Sequence, residues 1–136
     1  MPIELSQLYD LKSGRVQALA IGPMAHQACD YLNSTTGIVC INLIAFKHII
    51  SEHKDLSDIE IISMSYGLMR GLIVTDSKQT NEVIVSYKLP ESDLRWKIAV
   101  KCCAQGSELW VKTFHRTRPR QTRAILKRGR IIKPHD

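Results

Sequence analysis

Leu94-Arg95-Trp96-Lys97-Ile98-Ala99-Val100-Lys101-Cys102-Cys103-Ala104 is the stretch that decides how this chain is read. At a period of two, Leu94, Trp96, Ile98, Val100, Cys102 and Ala104 fall on one side of a strand. Arg95, Lys97, Ala99, Lys101 and Cys103 fall on the other. One side is core and the opposite side carries three cations, the pattern of an antiparallel sheet packed on one face. Residues 71–77, 82–89 and 108–117 read as further strands, and the short connections 78–81, 90–93 and 105–107 imply a four-stranded antiparallel meander. In residues 82–89, Val83, Val85, Tyr87 and Leu89 alternate with Ile84, Ser86 and Lys88. In residues 108–117, Leu109, Val111, Thr113 and His115 alternate with Trp110, Lys112, Phe114 and Arg116. Both of those sets hold large apolar side chains, so alternation does not choose the inward one.

Upstream of the meander the period is that of helices. A short helix is predicted over residues 5–11, ending at Ser13-Gly14, and residues 16–21 read as a short strand closed by Gly22-Pro23. Pro23 suits a first helical turn, and Met24, Ala28, Tyr31 and Leu32 then share a face. The β-branched run 38–41 reads as a buried strand. Residues 43–54 read as a helix with Leu43, Phe46 and Ile50 in one stripe that His53 continues, while His48 lies about 140° around the axis from His53. Ser57 or Asp58 would cap a further helix running to Met69. Downstream of the meander, Arg118-Pro119-Arg120 interrupts the last strand, residues 121–128 read as a basic helix, and Gly129 ends it.

The fold class expected is α+β: N-terminal helices on a four-stranded antiparallel sheet. The 136 residues form a single domain: an extension (1–15), a mainly helical part (16–70), the meander (71–117) and a basic segment (118–136). The 44% apolar fraction is ordinary for a globular chain, and no apolar run approaches the roughly 20 residues that span a bilayer. No secretory signal is read at the N-terminus, and four cysteines without CxxC spacing suit reduced thiols in a cytoplasmic protein. Residues 111–136 hold nine Lys or Arg against one acid, whereas residues 1–110 hold ten against twelve. The positive field is therefore concentrated in the C-terminal fifth, which suits a polyanionic partner.

Two histidines near the end of one helix, beside a cationic sheet face, suit proton transfer on a phosphodiester. They are not read as a metal site, because an i, i+5 spacing splays the rings and no HExxH pattern is present. Read singly, His53 is a half-buried member of an apolar stripe, His48 a surface residue and Thr113 a β-former. Arg95, Lys97 and Lys101 would then be a solvated sheet face.

The order helix after Gly22-Pro23, Thr36-Gly37 turn, strand, His48-Ile49-xxx-His53, second helix, meander and Lys112-Thr113-Phe114-His115-Arg116 resembles the phage-associated branch of the barnase/EndoU/colicin-tRNase/RelE-like nucleases (the BECR fold). The resemblance covers roughly residues 20–130. It implies an endoribonuclease, of the toxin or mobile-element type, that cuts RNA (tRNA included) through the 2′-hydroxyl without cofactor or metal. It implies His48, His53, Lys101 and Thr113 as catalytic residues, with Lys97 and Lys88 as rival lysines and His115 as a rival acid or base. Lys88, Arg95, Lys97, His115, Arg116, Arg118, Arg120 and Arg123 would hold RNA. Two other functions compete: a non-catalytic RNA-binding module, and an interaction domain for an acidic antitoxin or immunity protein.

Overall fold

A computed structural model describes residues 3–136; Met1 and Pro2, part of the N-terminal segment read above, lie outside the described residues. In chain order the elements are α1 (Leu5–Lys12), β1 (Ala18–Pro23), α2 (His26–Leu32), β2 (Ile38–Asn42), α3 (Leu43–Glu52), α4 (Asp58–Ile62) and α5 (Met64–Arg70). They continue with β3 (Leu72–Thr75), β4 (Glu82–Lys88), β5 (Arg95–Cys103), β6 (Glu108–Thr117), α6 (Pro119–Arg128) and β7 (Ile131–Lys133).

The chain is α+β, but its sheet has seven strands rather than four, in the order β1-β2-β6-β5-β4-β3-β7. The meander β3–β6 sits at the centre. β2 adds to β6 in parallel through Val39 and Cys40 opposite Leu109 and Trp110, and β1 pairs outside it. β7 closes the other edge against β3. β2 and β7 escape local reading because each joins a strand distant in sequence through only two residue pairs, and β1 enters the sheet only through β2.

One core joins all five N-terminal helices to one side of the sheet. Leu8 and Leu11 of α1, Phe46 and Ile49 of α3, and Met64 and Leu68 of α5 enter the same cluster as Val85, Tyr87, Trp96, Ile98 and Val100. Burying each such side chain is worth about 1.5–3 kcal/mol. Trp96 stacks on Tyr87 with ring centroids 5.4 Å apart. α5 comes this close because Gly67 has no side chain: a Cβ there would collide with the Tyr87 ring.

β6 resolves its own ambiguity with a bulge. Val111 pairs with Val100 and Thr113 with Ala99, which leaves Lys112 as one extra residue. Leu109 and Val111 before the bulge, and Phe114 after it, all reach the core. Thr113 and His115 are thereby shifted onto the side shared by Ala99 and Lys97. An uninterrupted alternation would have put His115 inside.

Among the described elements, α6 lies over the second side of the sheet. Gln121, Ala124, Ile125 and Arg128 of that helix line a cleft opposite Ile84, Lys97 and His115. No α6 residue is buried. Its far end is pinned to β3: Thr75 N donates to Arg130 O at 2.9 Å and Arg130 N donates to Thr75 Oγ1 at 2.9 Å. Gly129 is needed at that junction, since a Cβ would collide with the Thr75 carbonyl.

Candidate active site

The site forms where α3 ends against β6. Asn42 closes β2 and caps α3 directly, its side chain accepting from Ala45 N at 2.7 Å. The chain therefore turns from strand to helix without a loop, and α3 packs against β6. His53 occupies the C-cap of α3, its N–H donating to Ile49 O at 2.9 Å. Its ring lies 5.0 Å from that of His115, centroid to centroid, with the planes tilted by 34°.

His115 is fixed on its strand. Its Nδ1 lies 2.8 Å from Arg116 O. A carbonyl oxygen only accepts, so Nδ1 carries the hydrogen and Nε2 keeps a free lone pair. Burial pushes the His115 pKa below the ordinary histidine value; Lys97 and His53 lower it further, while the bond to Arg116 O and the Asp55 carboxylate oppose the shift. Neutral imidazole is thus the favoured form.

Lys97 is the lysine paired with His115. It lies directly across the ladder from His115 on one side and Ser86 on the other, which puts the three side chains in one row. Ser86 Oγ is buried and without a hydrogen-bond partner. Thr113, in the next row of the same side, stands about 7 Å along the strand from His115.

Arg116 holds these parts together from the core side. Its Nε and a terminal nitrogen donate to the two carboxylate oxygens of Glu60 at 2.6 and 2.7 Å, a bidentate fork. Trp96 Nε1 donates to the same carboxylate at 2.9 Å, and Ser57 N and Oγ at 3.1 Å. Arg116 above all holds the Glu60 carboxyl down at about 2. The remaining terminal nitrogen of Arg116 lies 3.5 Å from Asp55, two residues beyond His53. One guanidinium therefore anchors both the loop that carries His53 and the strand that carries His115.

The structure brings together His53, His115 and Lys97, with Thr113 one row to one side and Arg95 one row to the other, and spreads the remaining expected residues farther away. His48 is exposed on α3, on a different side of the helix from His53. Lys101 is exposed about 13 Å along β5 from Lys97. Lys88 and Arg95 stand one row beyond Ser86 and Lys97 on the same side, about 7 Å along their strands and beside His135, where Lys88 N donates to His135 Nε2 at 3.2 Å. Arg118 is the N-cap of α6, and Arg120 and Arg123 are exposed on that helix. Arg116 is engaged by Glu60 and Asp55 instead of facing solvent as a free cation. Sequence reasoning missed Glu60, although Ser57-Asp58-Ile59-Glu60 carries the capping-box signature that the fold uses.

No family model matches the chain, and no curated protein or solved structure matches it either.

Proposed function

We propose that the protein is a metal-independent endoribonuclease whose proton-transfer pair is His53 and His115. The observation that carries this reading is the 5.0 Å approach of the two imidazoles beside Lys97. At that separation both rings reach oxygens bound to a single phosphorus. RNA supplies its own nucleophile, so the attack is intramolecular and the protein needs to move protons and stabilise charge.

His115 Nε2 takes the 2′-hydroxyl proton as O2′ bonds to phosphorus. The P–O5′ bond breaks and His53 donates a proton to the leaving O5′, giving a 2′,3′-cyclic phosphate and a 5′-hydroxyl. His53 is given the acid role because it is the second imidazole within reach of the same phosphorus. His115 takes the base role because its Nε2 is free and its neutral form is favoured. Lys97 stabilises the phosphorane charge, and Thr113 donates to a phosphate oxygen. Arg118, Arg120 and Arg123, with the rest of the basic C-terminal segment, hold flanking phosphates and make binding fall steeply with salt.

A toxin-type role, tRNA as the substrate and an acidic protein that silences the activity rest on the resemblance alone. The four free cysteines suit the reducing cytoplasm that such a role requires. Labelled RNA incubated in EDTA is the test. Wild type yields 2′,3′-cyclic ends, His53→Ala and His115→Ala each lose about 10²–10⁴-fold in rate, and His48→Ala cleaves like wild type. RNA binding without cleavage, unchanged by His53→Ala and His115→Ala, would instead make the protein a passive RNA-binding module.

A further inference from the structure

We infer that the cleft beneath α6 is a subsite for one unpaired nucleotide, with its 3′-phosphate at His115 and Lys97 and its base farther along. The inference rests on the reading of His53, His115 and Lys97 as a phosphodiester site and assigns the neighbouring cleft its ligand. Three observations carry it.

The first is size and direction. The cleft measures about 340 Å³, at the small end of the range of roughly 300–1,000 Å³ for small-molecule sites. It runs from His115 on β6 under α6 to Asp76, just beyond β3, which is three strand spacings or about 14 Å. A nucleotide with its base unpaired fits; a base-paired helix does not.

The second is the order of surfaces along that length. His115 and Lys97 provide a polar end, where the proposed chemistry places phosphorus. Ile84 forms an aliphatic floor on the sheet, and Ala124 and Ile125 form an aliphatic roof on α6. Two apolar walls facing one another suit a flat ring, which is how unpaired RNA bases are commonly held. Both isoleucines are only half-buried and no α6 residue is fully buried, so an inserted base would cover apolar surface now left to water. Asp76 stands at the far end with Oδ1 held by Lys78 N and Gln79 N at 2.8 and 2.9 Å. That leaves Oδ2 as a positioned acceptor for an N–H on a base edge.

The third is charge. Lys78, Lys97 and Arg128 line the cleft against Asp76 alone, which complements a phosphate monoester.

The test uses the full chain with the four nucleoside 3′-monophosphates, the four nucleosides and inorganic phosphate as probes, read by calorimetry and by amide chemical shifts. The inference expects at least one 3′-monophosphate to bind at least about tenfold tighter than phosphate alone, with shifts at Ile84 and Ile125. Ala124→Trp fills the roof and should weaken nucleotide binding by at least about tenfold while leaving phosphate binding in place. Ile125→Ser, on a helix outside the core, should weaken it in the same direction. Nucleotides binding no tighter than phosphate, or nucleotide affinity untouched by both substitutions, would overturn the subsite. RNA cleavage by wild type separates the two readings. Nucleotides held in the cleft without any cleavage leave the subsite standing and remove the nuclease. Cleavage that proceeds at wild-type rate and base preference in Ala124→Trp does the reverse.

Discussion

Trp96 and Lys97 are consecutive residues of β5 under opposite constraints. Trp96 is 2% exposed, stacked on Tyr87 and bonded to Glu60. Lys97 stands half-exposed between Ser86 and His115 and borders a cleft. The difference teaches that the sheet draws its packing energy from the five-helix side. The other side has less packing to lose, so it can carry cations and an imidazole that a core would not tolerate.

The sharpest way to break this comparison is to exchange the costs. Trp96→Ala should lower unfolding free energy by about 3–5 kcal/mol, measured by denaturant titration. Lys97→Met should change it by less than about 0.5 kcal/mol while reducing RNA cleavage by about 10²-fold. Equal loss of stability in the two variants would mean that the sheet has no open side.

Arg116 belongs to both sides at once, and its removal should rank next. Arg116→Met leaves the buried Glu60 carboxylate without its fork and should lower stability, measured by the same denaturant titration. The pH dependence has a definite sign. Glu60 titrates at about 2 in the fold, below its ordinary value of 4.5. Its contribution is therefore whole above about 4.5 and is lost as pH falls toward about 2. Acidification through that window should destabilise wild type more than Arg116→Met. Acid titrations of parallel slope would show that the pair contributes nothing.

The smallest effect refines the open side alone. The lowered pKa of His115 means that the fold favours its neutral ring, a contribution present above the ordinary value of 6.5 and lost as pH falls through the lowered one. Removing the neighbouring charge in Lys97→Met should move the His115 midpoint upward, followed by NMR at its Cε1 proton. An unchanged midpoint would place Lys97 too far away to be felt.

Much of this was legible in the chain. The alternation in residues 94–104 predicts β5 and its two sides, and the 100° step per residue already separates His48 from His53. The membership of β1, β2 and β7 in the sheet was not legible, because their partners are set by tertiary pairing. Nor was the pairing of His53 with His115, 62 positions apart in sequence. His115 could be named only as a rival. Arg116 read as one more cation in a basic run, since the carboxylate that captures it sits on a helix 56 residues earlier.

The bulge in β6 has one more consequence. A central strand with a surplus residue carries a spare: if Lys112 were excised, Val111 and Thr113 would become consecutive rungs, still facing Val100 and Ala99. The shortened protein should melt cooperatively with its histidine on the same side as before, forfeiting little beyond the Lys112–Glu82 contact. Excising Phe114 instead would also use up the bulge but would set Thr113 in the core place of Phe114 opposite Ile98, so two single-codon deletions two positions apart should have opposite fates in a thermal melt.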